Sequence, residues 1–155
     1  VSGEIRDIAI QMLRNAITHG IEAPVERTSA SKSAVGTVLI ACRELAAGQF
    51  EFVMRDDGRG LVPERIRDAL VRSGRYSEEA VRGLDDRQVV SKIFEPGFST
   101  ATNIDKDAGH GIGMDVIRDR INALGGQLRL ASRTNRFTEF TIRFAPRFAR
   151  GEAGA

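Results

Sequence analysis

A single cysteine, Cys42, in a chain of 155 residues excludes an internal disulfide and any zinc finger, and it fits a reducing compartment. Only two histidines, His19 and His110, leave little for a histidine-rich metal centre. No apolar run approaches the roughly 20 residues that a membrane span needs, and no basic-then-apolar stretch opens the chain as a secretory signal would. Nor is there an excess of one charge: 23 Lys and Arg stand against 21 Asp and Glu, net +2, and the basic residues are spread rather than bunched. That pattern argues against a dedicated nucleic-acid or membrane-surface protein. What is present, 41% hydrophobic and 28% charged, is the balance of one globular domain, expected to be soluble and cytoplasmic. The Val1-Ser2-Gly3 start and the Gly/Ala-rich end read as a piece of a longer protein.

The hydrophobic pattern sets out the elements. Ile5, Ile8, Ala9, Met12, Leu13, Ala16 and Ile17 predict a helix from Glu4 to His19, ended by Gly20. Residues 21–36 lack periodicity and read as a connection. Alternation in Val38, Ile40, Cys42 and in Phe50, Phe52, Met54 predicts two strands, Thr37 to Glu44 and Gln49 to Asp56, paired as a hairpin. Pro63 opens a helix to about Arg72, and short helices follow near Ser77 to Arg82 and Asp85 to Ile93. Glu95 to Gly113 is rich in Gly, Ser, Thr, Asn and Asp, and a loop of that length is usually functional. A helix from Met114 to Leu124 and two strands, Gln127 to Arg133 and Phe137 to Phe144, complete the chain. Paired strands with helices grouped between them predict an α+β two-layer sandwich.

Three features carry chemistry. Asp7, Gln11, Asn15 and His19 stand four apart and climb one side of the first helix. Such a stripe is commonly a solvated face, but an amide and an imidazole at its end suit a metal that takes its other ligands from phosphates and water. Asp56-Asp57-Gly58-Arg59-Gly60 ends an apolar strand. It reads as a turn, or more sharply as a pocket in which Asp56 accepts from an exocyclic amine such as that of adenine while Gly58 and Gly60 leave bare backbone for the base. Gly109-His110-Gly111-Ile112-Gly113 precedes the Met114 helix, where successive amide N–H groups suit phosphate. The run leaves a polar loop rather than a strand and is not followed by Lys-Ser or Lys-Thr, which disfavours both a Rossmann fingerprint and a P-loop.

Taken together with Arg14 to Glu22 and Phe94-Glu95-Pro96-Gly97-Phe98-Ser99-Thr100, these segments resemble, in order, the N, G1, F and G2 boxes of the GHKL (Bergerat) ATP-binding fold. The wording is most similar to the ATPase domain of CheA-type chemotaxis histidine kinases, from about Asp7 to Pro146. The resemblance implies an α/β sandwich with a mixed, mainly antiparallel sheet and helices on one face, in a single domain with its core at 4–146 and a tail at 147–155. It implies ATP and Mg²⁺ as ligands, with Asn15 and His19 on the metal, Gln11 and Asn15 in the catalytic positions, and Asp56 on adenine. Gly58 and Gly60 shape that pocket, joined by Thr138. Phe94 to Ala108, including Phe98, Ser99 and Thr100, would form a lid, and Gly109, His110, Gly111, Ile112, Gly113 and Met114 would meet the phosphates.

Gln11 stands where the CheA pattern has His and many relatives have Glu, and Thr18 where it has Asp; Phe137 replaces a Gly beside Thr138. Gln takes no proton at neutral pH, which argues against general-base activation there. A neutral imidazole acceptor attacks without prior deprotonation, so hydrolysis is expected to suffer more than transfer to histidine. The expected activity is a protein-histidine kinase; the rivals are a nucleotide-binding regulatory module and, further off, an anti-sigma-factor-type serine kinase. Expected partners are a histidine phosphoacceptor domain in cis or trans and, indirectly, a response regulator, with no nucleic acid or membrane contact. Neither His19 nor His110 is placed as an acceptor, so the substrate histidine is expected outside these residues.

Overall fold

The computed structural model of the chain describes residues 2–98 and 113–146. It divides between Gly60 and Leu61 and between Arg118 and Asp119 into two compact units.

The first unit opens with α1 (Ser2–Asn15), which buries Ile8 and Met12. The helix does not run on regularly to His19. After Asn15 the chain widens into a π-helical turn, Ala16–Gly20, closed by the Ile21 N–H on the Ala16 carbonyl at 2.8 Å. The last step of the stripe, from Asn15 to His19, therefore runs on a π-helical rather than an α-helical turn. The segment expected to be a plain connection contains α2 (Pro24–Ser29). Pro24 presets the first helical φ, and the Glu26 carboxylate accepts the Ala23 N–H at 3.3 Å, but six residues are too few to show periodicity.

Four strands follow in this unit: β1 (Val38–Glu44), β2 (Phe50–Asp56), β3 (Gly126–Arg133) and β4 (Phe137–Phe144). They lie in the order β1-β2-β4-β3. All pairings among the described strands are antiparallel, in keeping with the mainly antiparallel sheet expected. The reason is that two hairpins join through their second strands, β2 and β4, which run in opposite directions. One face carries Phe52 and Met54 of β2 beside Ile142 and Phe140 of β4, and all but Phe140 are buried. Burying each such side chain contributes about 2 kcal/mol before chain entropy is counted. In β1 the alternating set is less covered: Ile40 and Cys42 are exposed, because β1 lies at the edge of the sheet and is partnered, among the described strands, only by β2. On the opposite face Glu51 is 1% exposed, held by Arg43 Nε at 2.7 Å and Arg143 Nε at 2.6 Å. These two guanidiniums keep its carboxyl below the usual range.

The second unit holds α3 (Pro63–Arg72), α4 (Glu78–Arg82), α5 (Asp86–Ser91) and a 3₁₀ turn at Lys92–Phe94. Ser77 caps α4 by accepting the Ala80 N–H at 3.1 Å. Asp85 and Gln88 cap α5 reciprocally, each side chain accepting the other's backbone N–H at 2.8 and 2.9 Å. Ile66, Leu70, Val81, Val89 and Ile93 form its core. The last helix, α6 (Met114–Ala123), gives Ile117 to this unit and Ile121 to the first; both are buried. Most of the predicted polar loop lies outside the described residues, and so does the tail at 147–155.

Candidate functional site

In the first unit the end of the helical segment bearing Asn15 and His19 adjoins the loop that follows β2. A Cβ on Gly20 would sit 3.3 Å from Asp56 Oδ1, and the Arg59 N–H donates to the Gly20 carbonyl at 2.9 Å. Gly58 packs so closely that a Cβ would lie 2.0 Å from the Gly20 carbonyl oxygen. Gly60 has φ +66°, and its Cβ would meet the Arg133 carbonyl at 2.4 Å. Glycine is required at both positions by protein backbone: one seats the loop on the turn after α1, the other on the β3–β4 turn.

Asp56 is 5% exposed and lies directly across from Thr138, itself buried, on the neighbouring strand. Its Oδ1 accepts the Gly58 N–H at 2.9 Å. Oδ2 has no hydrogen bond among the described residues, and it is not one of the walled-in atoms left without a partner. Burial raises the Asp56 carboxyl above its ordinary pKa; the Gly58 N–H opposes this, while Asp57 and Glu22 add repulsion. A buried carboxylate with one oxygen fixed and the other open is suited to accept from an N–H donor on a ligand.

Gln11 is buried, 8% exposed, and its Nε2 donates to Asn15 Oδ1 at 3.3 Å. It is therefore a partner of the predicted metal ligand, whereas Asp7 at the start of the same stripe is exposed and pairs with Arg6 at 3.3 Å. No group of three or more His, Cys, Asp or Glu among the described residues could hold a metal ion. An amide oxygen and an imidazole on Asn15 and His19 suit Mg²⁺ only if phosphate oxygens and water complete its shell. In the second unit Phe98 is buried, and Gly113 directly precedes α6, which Met114 opens. Ser99, Thr100, Gly109, His110, Gly111 and Ile112 lie outside the described residues. A cavity of about 800 Å³ among α3, α4 and α5, with Arg67, Asp68, Val81 and Asp86 on its walls, contains none of the predicted site residues.

The histidine kinase-, DNA gyrase B-, and HSP90-like ATPase profile matches residues 4–147. The chain belongs to this family. Among curated proteins it is 34% identical to the gliding motility regulatory protein of Myxococcus xanthus over 91% of its own length and 18% of that protein. It is 35% identical to the chemotaxis protein CheA of Bacillus subtilis over 92% of its own length and 21% of that protein. The chain thus spans about a fifth of the length of these relatives. The catalytic domain of histidine kinase ThkA has the same fold, at a TM-score of 0.54 and 19% identity, over 93% of this chain and 67% of that one. No helix among the described residues is long and apolar enough to cross a membrane.

Sequence reasoning missed the chain behind Asp57. Arg27, read as part of a structureless connection, is 1% exposed and reaches Glu22 and Asp57, the latter 30 residues away. Pro24 followed by Glu26 was the available sign of a short helix. Nor did the sequence single out Tyr76, whose hydroxyl donates to the Glu95 carboxylate, within 2.6 Å of Oε2 and 2.7 Å of Oε1.

Proposed function

We propose that this chain is the Mg·ATP-binding catalytic domain of a CheA-type histidine kinase and transfers the γ-phosphoryl group of ATP to a histidine on another domain or chain. The observation that carries the reading is Asp56: a buried carboxylate at the end of β2 with one oxygen held by Gly58 and one open, in a chain of the ATPase family. Asp56 accepts the adenine amine, with Thr138, Gly58 and Gly60 around it. Asn15 and His19 would hold Mg²⁺, which would neutralise charge on the phosphates, and Gln11 orients Asn15. Phe98, Ser99 and Thr100, with Gly109, His110, Gly111, Ile112, Gly113 and Met114, cover and cradle the phosphate end. The acceptor imidazole uses its free lone pair: an N–P bond forms, the bond from the γ-phosphorus to the bridging oxygen breaks, and ADP leaves. No proton has to be removed first, so Gln11 in place of a base is compatible with transfer. Catalysis is then positioning and charge neutralisation. A response regulator is the downstream partner, and the cytoplasm, where ATP is, is the place of action.

Incubation with Mg·ATP labelled at the γ-phosphate and the phosphoacceptor domain of a CheA relative tests the reading. Acid-labile label on the acceptor histidine is expected. Nucleotide binding without transfer would favour a regulatory module, and absence of binding would overturn both.

A further inference from the structure

Arg27 and Lys32 bury two cationic heads behind the Asp56–Gly60 loop. The five N–H donors of Arg27 meet five acceptors: Nε to Ser33 O at 2.7 Å, Nη1 to Glu22 Oε2 at 3.0 Å and Asp57 O at 3.2 Å, Nη2 to Asp57 Oδ2 at 2.9 Å and Val35 O at 3.4 Å. The three donors of Lys32 Nζ are likewise filled, by Glu22 Oε1 at 2.6 Å, Asp57 O at 3.0 Å and Gly58 O at 2.7 Å. The other Asp57 carboxylate oxygen takes the Thr37 N–H at 2.8 Å, so this side chain is consumed by structure. Both cations therefore grip the Asp57 carbonyl. That carbonyl and the Gly58 N–H belong to one peptide group, which is planar, and the same N–H holds Asp56 Oδ1 at 2.9 Å. Fixing the oxygen end of the peptide fixes the direction of its N–H end, and cations on the carbonyl strengthen that N–H as a donor.

We propose that Arg27 and Lys32 are positioning residues for base recognition: by clamping the Asp57–Gly58 peptide they hold Asp56 with one oxygen engaged and the other aimed at the exocyclic amine of adenine. Neither touches the nucleotide. The proposal rests on the reading of Asp56 as the adenine carboxylate, and it adds that base discrimination is set from behind the pocket, by residues of the segment between α1 and β1.

The test compares Mg·ATP with Mg·ITP, whose base has a carbonyl where adenine has its amine, by calorimetry on the chain, on Asp56→Asn and on Lys32→Met. A site built to bond an amine rejects the analogue that lacks it, so the native chain should prefer ATP by about a hundredfold or more, and Asp56→Asn should abolish most of that preference. If either fails, the adenine reading falls and the proposal falls with it. With both in hand, Lys32→Met should weaken ATP binding about tenfold while ITP binding stays nearly constant, narrowing the preference by the same factor. A merely structural role for Lys32 would lower the melting temperature and weaken both nucleotides alike, and an unchanged ATP-to-ITP ratio would overturn the proposal. Should Lys32→Met fail to fold, Lys32→Gln, which keeps donors for the two carbonyls without the charge, should show an intermediate ratio; a native ratio there would also count against it.

Discussion

Two short segments of the family's boxes, Asp56–Gly60 in the first unit and Phe94–Phe98 in the second, are held in place by different chemistry. Behind the first stands a buried network: Arg27 is 1% exposed, and Glu22, Asp57 and Lys32 complete a cluster in which two cations face two carboxylates. Beside the second stands a partly solvated cluster. Glu95 accepts from Tyr76 and from Lys92 Nζ at 2.7 Å, with Lys92 and Glu95 side chains 24% and 31% exposed, and Arg75 Nη1 donates to the Pro96 carbonyl at 2.7 Å. Water reaches both Lys92 and Glu95 in the second cluster; in the first it reaches the Asp57 side chain, 44% exposed, but hardly Arg27 or Glu22, at 1% and 8%. The consequence is that the Asp56–Gly60 loop is fixed by interactions that are costly to break, whereas the Phe94–Phe98 segment is held by ones that exchange readily.

The largest effect should come from Arg27→Met. Removing the guanidinium leaves Glu22, whose side chain is 8% exposed, to Lys32 alone and takes from Asp57 its main counter-charge, a loss of about 3 kcal/mol, the low end for a buried pair because the Asp57 side chain is partly solvated. In a domain of this size that lowers the melting temperature by roughly 10 °C, read by circular dichroism. The acid limb should change too. For both Glu22 and Asp57 burial pushes the pKa up, but it is outweighed, by Lys32 and Arg27 at Glu22 and by the Thr37 N–H and Arg27 at Asp57, so both carboxyls stay below their ordinary values. Stability from such groups is complete above the unfolded-state pKa near 4 and is lost as pH falls through the lower folded value. The native chain should therefore lose stability on acidification below about pH 4 more steeply than the variant. Equal acid limbs would break the contrast between the two segments.

How much of this was legible in the sequence follows from how local each interaction is. The bounds of β2 and β4, the start of α3 at Pro63 and the starts of α4 and α5 near Ser77 and Asp85 are local statements about alternation and helix initiation, and each was read within a residue or two. Asp56, Thr138 and Asn15 were named because their motifs have recognisable wording. The π turn at Ala16–Gly20 was hidden, since side-chain spacing does not report one wider backbone turn. The role of Asp57 was hidden as well. Two adjacent aspartates look alike in sequence, and only the arrival of Arg27 from 30 residues away separates a structural carboxylate from an open one.

That separation gives the second prediction, Asp56→Asn. Burial has raised the Asp56 pKa, so its stabilising contribution is complete below the unfolded value near 4 and is lost as pH rises through the folded one. At neutral pH the buried charge burdens the fold, and Asn, whose side-chain oxygen still accepts the Gly58 N–H, relieves it. The melting temperature at pH 7 should hold or rise while ATP affinity falls by about ten- to a hundredfold, the worth of a hydrogen bond to a charged group. A fall in melting temperature like that of Arg27→Met would show that Asp56 belongs to the structural cluster after all.

The smallest effect should come from the second segment. Tyr76→Phe removes the hydroxyl that donates to Glu95 but leaves Lys92 Nζ on the same carboxylate and keeps the aromatic ring, over which that ammonium lies at 5.1 Å. Glu95 is pushed up by burial and held below its ordinary value by Lys92, then Tyr76, with Arg75 adding its charge, so two of its three lowering partners survive. Because the cluster is partly solvated, water replaces the lost donor, and the cost should stay under about 1 kcal/mol, a melting shift of about 3 °C or less. The same substitution should change Mg·ATP affinity by less than about threefold, which calorimetry resolves. A melting shift near that of Arg27→Met would mean that the Phe94–Phe98 segment is clamped as tightly as the Asp56–Gly60 loop, and that solvent exposure is not what separates the two.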